Sequence, residues 1–208
     1  KLSAKGGGVV YIPSGIYRFR NPISDHKRYD DRYSWHIEGL KNIHFIGDGP
    51  EKTIIVTEYD GKTYPGDPPP YLWMVRGCEN ISFRDLSFSI FPFFGMRTPR
   101  MGEGVFSLAF GGNKGVQVVN VLCDQGRIPI CFWHVNTNAW VVDCDVRNTG
   151  ADAIKFDSSC DTVAAYNYVE WSNDDSFSGL EMKKGPAINN YFFYNTVVYD
   201  RGWGRGIA

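Results

Sequence analysis

Asp143-Cys-Asp-Val-Arg-Asn-Thr-Gly-Ala-Asp-Ala-Ile-Lys-Phe156 can be laid over Tyr166-Asn-Tyr-Val-Glu-Trp-Ser-Asn-Asp-Asp-Ser-Phe-Ser-Gly179. Val146 then falls on Val169, Ile154 on Phe177 and Asp152 on Asp175, each pair 23 residues apart. A repeat of that length, made of short strand-like runs and polar corners, is how a solenoid coil looks in sequence. Equivalent residues on successive coils sit one strand spacing apart, roughly 4.8 Å. Asp152, Asp174 and Asp175 are therefore expected to crowd one corner of a stacked sheet.

Working outward, the same unit recurs. Lys41-Asn-Ile-His-Phe-Ile-Gly47, Glu79-Asn-Ile-Ser-Phe-Arg-Asp-Leu-Ser-Phe-Ser89 and Lys114-Gly-Val-Gln-Val-Val-Asn-Val-Leu122 alternate apolar and polar side chains, often behind an Asn or Gly. Ala139–Val146, Thr162–Val169 and Tyr191–Val198 do the same. A period of two marks half-buried strands, and long amphipathic helical patterns are absent. The expected fold is all-β: one parallel β-helix domain over residues 1–208. The early units are further apart, and the excess falls in turn-rich stretches near 59–70 and 91–104, with a shorter one near 179–187. Pro-Gly-Asp-Pro clusters such as those at 65–68 cannot continue a sheet, so these read as excursions from the coil that wall a groove.

The bulk numbers narrow the class. With 208 residues the chain can bury a substantial core, and its net charge of -1 points to neither nucleic acid nor an acidic membrane surface. No run of 18 or more apolar residues is present, so no membrane-spanning helix is expected. Five cysteines, Cys78, Cys123, Cys131, Cys144 and Cys160, lack CxxC spacing, which argues against zinc. Within β-like runs they read as small buried fillers ahead of disulfides. Starting at Lys1 and stopping at Ala208 in a strand-like run, the chain reads as a piece of a longer protein, incomplete at its C-terminal end.

Asp and Asn at solenoid corners have a plain structural use, because they tolerate left-handed backbone and bond neighbouring amides. That reading suits the acids one at a time. It suits the Asp174-Asp175 doublet beside Asp152 less well, since like charges so close repel and Asn or Ser would serve a corner better.

Two stretches resemble the N-terminal coils of pectin-lyase-like right-handed β-helix proteins: Gly6-Gly-Gly-Val-Val-Tyr-Ile-Pro-Ser-Gly-Ile-Tyr-Arg18 and Asn42-Ile-His-Phe-Ile-Gly-Asp-Gly-Pro-Glu-Lys-Thr-Ile-Ile55. With the later coils, the resemblance covers nearly the whole chain and implies a right-handed parallel β-helix. The acids are similar to those of family 28 glycoside hydrolases, the polygalacturonases, which carry Asn-Thr-Asp, an Asp-Asp about one coil later, then Gly-His-Gly. Gly150-Ala-Asp152, Asn173-Asp174-Asp175 and Gly204-Arg205-Gly206 occupy those places. Arg205 replaces the His, the third coil arrives late, and the family's Arg-Ile-Lys motif is not found in the chain. Family 87 α-1,3-glucanases resemble it in their three-aspartate arrangement and fit the missing His better.

The resemblance implies hydrolysis of a polysaccharide or oligosaccharide by an inverting acid/base mechanism without a cofactor. Asp174 would be the general acid, with Asp152 and Asp175 holding and deprotonating water, and the acid and base carboxyls about 6.5–9.5 Å apart. Arg205 is a candidate substrate clamp, or the cation that tempers three negative charges; a salt bridge to Asp175 is its structural alternative. Arg127, one coil before Asp152, is a candidate for the groove's border. Lys155 either faces the groove or is an ordinary solvated lysine. Trp203 and Trp171 suit stacking on sugar rings as well as core packing, and His134 reads as structural. Two rivals stay open. A polysaccharide lyase or epimerase of the same fold would use the acids to hold Ca²⁺ and an Arg as base, and a spike-like β-helix would bind glycans without turnover. A polymer substrate and the resemblance together imply a secreted or periplasmic setting.

Overall fold

The structure is a computed structural model describing residues 6–20, 33–58, 71–91, 106–180, 185–199 and 204–208. Among these, every element is a strand. Coil one is β1 (Gly8–Tyr11), β2 (Gly15–Arg20) and β3 (Tyr33–Glu38); coil two is β4 (Lys41–Ile46), β5 (Thr53–Glu58) and β6 (Tyr71–Arg76). Coils three and four each open on a strand of 13 residues that bends through a corner, β7 (Glu79–Phe91) before β8 (Phe106–Gly111) and β9 (Lys114–Gly126) before β10 (Ile130–Trp133). Coil five is β11 (Thr137–Val142), β12 (Asp145–Thr149) and β13 (Ile154–Phe156), and coil six is β14 (Cys160–Ala165), β15 (Tyr168–Glu170) and β16 (Phe177–Ser178). Coil seven holds β17 (Ile188–Phe193) and β18 (Thr196–Val198).

Like strands stack on like, giving three faces. The first runs β1-β4-β7-β9-β11-β14-β17, the second β2-β5-β7-β9-β12-β15-β18, and the third β3-β6-β8-β10-β13-β16. Pairing is parallel, and Val146 lies opposite Val169 and Ile154 opposite Phe177, as the repeat requires. The chain is an all-β, right-handed parallel β-helix.

The corners explain the Asn-rich sequence. Asn42, Asn80, Asn138, Asp161 and Asn189 hold equivalent positions and share φ values of 53° to 57°. Asn and Asp are the non-glycine residues that enter this left-handed region at least cost. Their side chains then continue the ladder: Asn80 Nδ2 donates to Asn42 Oδ1 at 2.8 Å and Asn189 Nδ2 to Asp161 Oδ1 at 2.9 Å. A second set is buried. Asn113 accepts the Cys78 N–H at 2.8 Å, and its Nδ2 donates to the Val75 carbonyl at 3.0 Å; Asn136 and Asn167 repeat the device further along. An unpaired buried amide costs about 1–3 kcal/mol, so these ladders fix coil against coil.

Inside the coils Phe110 stacks on Phe132 with ring centroids 4.5 Å apart and Phe156 follows, tilted, at 4.9 Å, all three fully buried. Alternation sends their neighbours Ala109, Cys131 and Lys155 to the outer side of the third face. That side is covered too, because Met74, Ala109, Ile128, Cys131 and Ala151 form a separate small apolar cluster. All five cysteines are free, Cys160 alone being partly exposed.

The corner between the second and third faces varies most in length. The steps from β2 to β3, from β5 to β6 and from β7 to β8 are long, whereas only 127–129 lie between β9 and β10. The flanking strands nevertheless keep register, with Arg20 opposite Glu58 and Tyr33 opposite Tyr71. The excursions expected near 59–70, 91–104 and 179–187 fall largely outside the described residues, which omit 59–70, 92–105 and 181–184. Trp203 lies outside them as well.

Candidate active site

The acids occupy this same corner in coils five and six. The stretch 150–153 links β12 to β13, and 171–176 links β15 to β16. Thr149 pairs with Gly126 and Ile154 with Ile130, so the turn 150–153 that carries Asp152 is one residue longer than the turn 127–129 beneath it. Against coil six the offset is constant, and Asp152 stacks on Asp175: the Ala153 N–H donates to the Asp175 carbonyl at 3.0 Å and Ile154 N–H to Ser176 at 3.1 Å. Asn173 Nδ2 reaches back to the Gly150 carbonyl at 3.3 Å and ties the two turns together. Asp152, Asp174 and Asp175 each bring a carboxylate oxygen to one spot, all within 4.8 Å of one another. This spacing comes from the coil repeat itself.

The three carboxyls differ in surroundings. Asp152 is 3% exposed. Its Oδ2 takes the Lys155 ammonium at 2.7 Å and the Ser178 hydroxyl at 3.2 Å. Asp175 and Asp174 are half-buried. Asp175 Oδ1 accepts the Arg205 N–H at 2.9 Å. Partial burial, then the charges of Asp152 and Asp175, push the Asp174 carboxyl above its ordinary value, with Lys155 pulling the other way. Asp174 thus holds its proton more tightly than a solvated aspartate, as a general acid requires.

Lys155 is not a solvated lysine. Its side chain is 17% exposed and sits on the third face's outer side, with Cys131 and Ser178 as strand partners. Burial opposes its charge, but the bond to Asp152 and the charges of Asp152 and Asp157 outweigh this and raise its pKa. Asp157, at 4% exposure, was not singled out in the sequence. Its Oδ1 has no hydrogen-bond partner among the described residues and lies 3.8 Å from Lys155 Nζ. Burial raises the Asp157 carboxyl from 3.8 to about 6, with Lys155 opposing.

A stability test follows from Asp157. A carboxyl that binds its proton more tightly folded than unfolded stabilises the fold fully below about pH 4 and has lost that contribution above about pH 6. Asp157→Asn, which mimics the protonated form, is expected to be near neutral at about pH 4 and to stabilise by up to about 3 kcal/mol at about pH 8. Urea unfolding at both values checks this; an equal effect at the two would refute it.

The remaining expected residues divide. Arg205 meets Asp175 through its main-chain N–H, while its side chain is exposed. Arg127 lies one coil below the acids, where its carbonyl takes the Ala151 N–H at 2.8 Å, and its side chain is half-buried. Trp171 turns the chain into the acidic corner at φ 65° and packs against Tyr199, centroids 5.0 Å apart. His134 follows the far end of β10, where it forms a left-handed corner at φ 57°. Gly204, which the sequence places in the third motif position, packs directly on the acidic doublet. A Cβ there would lie 2.1 Å from the Asp174 carbonyl carbon and oxygen and 2.6 Å from the Asp175 nitrogen.

Calcium takes about six to eight oxygen ligands. Here three carboxylates converge, and one oxygen of the most buried already carries an ammonium at 2.7 Å.

No protein-family model matches the chain, nor does any curated protein sequence. Solved structures do match. The catalytic domain of a GH87 α-1,3-glucanase in complex with nigerose has a TM-score of 0.60 at 19% identity, over 94% of this chain and 33% of that one. An aspartate-to-alanine variant of such a domain, in complex with tetrasaccharides, gives 0.60 at 17% over the same shares. The A-module of the Azotobacter vinelandii mannuronan C-5 epimerase AlgE6 gives 0.68 at 17% identity, over 99% of this chain and 51% of that one. The chain thus spans about a third of the glucanase chains it matches. At these identities the likeness carries the fold alone, a parallel β-helix.

Proposed function

We propose that this chain carries the acid/base centre of a glycoside hydrolase acting on a polysaccharide. The observation that carries the reading is the meeting of three carboxylate oxygens within 4.8 Å, one of them on an aspartate that holds its proton tightly. Hydrolysis needs a protonated carboxyl at the leaving oxygen and a carboxylate to activate water. Asp174 serves as the acid. Asp152 and Asp175 hold the water between them: with oxygens at most 4.8 Å apart, a water at about 2.8 Å from each subtends roughly 120°, close to its preferred geometry. One water shared by two carboxylates supports inversion. The first anomer released, read by NMR, tells inversion from retention.

The glucanase and epimerase likenesses suggest α-glucans and uronates as the substrates to try first. The test is release of reducing sugar from α-glucans, polygalacturonate and galactans, with and without chelator. Release unaffected by chelator is the expected result. Chelator-sensitive formation of unsaturated ends absorbing in the ultraviolet would make the protein a lyase instead. Binding without release from any glycan would leave a glycan-binding module.

A further inference from the structure

We infer that Lys155 and Asp157 form a positioning pair: the lysine pins Asp152 as one of the two water-holding carboxylates, and the buried aspartate behind it sets how fully the lysine is committed to that task. The inference rests on the hydrolytic reading and adds to it two residues that touch no substrate.

The geometry is a short chain of charges along the outer side of the third face. Asp152 Oδ2 is 2.7 Å from Lys155 Nζ, which is 3.8 Å from Asp157 Oδ1. The first contact is a charged hydrogen bond; the second is too long for one. Lys155 is thus shared unequally, and a small change in the charge of Asp157 alters its pull on Asp152. All three side chains are largely buried, where charges interact more strongly than at a surface. The floor around them is apolar or neutral. Cys131 on β10, opposite Lys155, is fully buried, and burial holds its thiol neutral well above the ordinary range. Ser178 on β16 offers Asp152 a hydroxyl. The other titratable groups facing the pair are Asp174 and Asp175 on the turn before β16 and Arg127 one coil down. A lone lysine bound to an acid would need no partner. Burying the Asp157 carboxylate, one oxygen of which is unbonded among the described residues, is costly, and the charge of Lys155 at 3.8 Å offsets that cost and so couples the two groups.

The pair's function is read from pH profiles of kcat/KM. Lys155→Met removes the cation beside Asp152 and lowers the opposition to Asp174's proton, so both limbs move up. The acidic limb is expected to shift by about one unit, a roughly tenfold loss of rate below it. Asp157→Asn leaves the lysine wholly to Asp152, so the acidic limb moves down. Because Lys155→Met strands two buried carboxylates and risks misfolding, Lys155→Met/Asp157→Asn is made beside it; that variant keeps the net charge and is expected to fold and still show the raised limb. Limbs that stay in place in all three variants, with only the rate reduced, would show a merely structural pair and overturn the inference. Carbon-13 titration of the Asp174 carboxyl gives a readout independent of turnover, its midpoint rising in Lys155→Met. If the wild-type protein hydrolyses no glycan but this midpoint still rises, the hydrolase reading fails alone. If hydrolysis occurs and the midpoint is unmoved, the positioning pair fails alone.

Discussion

Asp174→Asn is expected to lower kcat on the productive glycan by about 10²- to 10⁴-fold, the range usual for removing a general acid. KM should change little, because the substitution preserves shape and only deprives the leaving oxygen of its proton donor. The sharper measurement uses two leaving groups. A sugar alcohol needs protonation to depart, whereas an activated phenol does not, so the deficit should shrink strongly on an aryl glycoside. Asp152→Asn and Asp175→Asn should show no such rescue, since water must still be activated. An equal deficit on both substrates would strip Asp174 of the acid role and pass it to a neighbour.

Gly204→Ala should be nearly as damaging although it alters no polar group. Its new methyl would lie 2.1 Å from the Asp174 carbonyl and 2.6 Å from the Asp175 nitrogen, well inside contact distance and against backbone that cannot swing aside. Coil six or coil seven must give way, and displacement of a catalytic group by about 1 Å can cost about 10²-fold in rate. Overpacking also costs about 1–3 kcal/mol in stability. Gly206→Ala is the matched control, since a methyl there meets nothing within 4 Å. Full activity in Gly204→Ala, with Asp174 titrating as before, would show that the segment packed over the doublet is not what places it.

These two residues also show where sequence reasoning reached and where it stopped. Asp174 was legible because a solenoid turns sequence spacing into a spatial column: once Val146 matched Val169, Asp152 had to fall on Asp175. Gly204 was legible as part of the third motif position, but its close packing on the doublet was not, because coil seven arrives late. Cys160 pairs with Ile188, a longer step along the chain than the one from Thr137 to Cys160, and the change of step blurs the overlay. Lys155 reads as solvated because it points away from the core. It nevertheless lies between Cys131 and Ser178 on the neighbouring coils and against Asp152 and Asp157, neighbours that its position in the sequence does not announce. The Arg205 contact to Asp175 is made by a main-chain N–H, which has no signature in residue identity. Arg205, Arg127 and Trp171 were legible as residues near the acids; their contacts were not.

The constancy of register beside connections of very different length has a consequence for how such a protein can be varied. β2 stays matched to β5 and β3 to β6 although a long connection intervenes at the corner, and β10 follows β9 after a short one. The same corner thus joins matched strands through 12 residues between β2 and β3 and through 3 between β9 and β10. Between Val169 and Phe177 the length is fixed, because one inserted residue would slide Asp174 and Asp175 out of step with Asp152. The corner of the first three coils and the acidic corner of coils five and six can therefore vary independently in sequence, since they share a face but no strand segment.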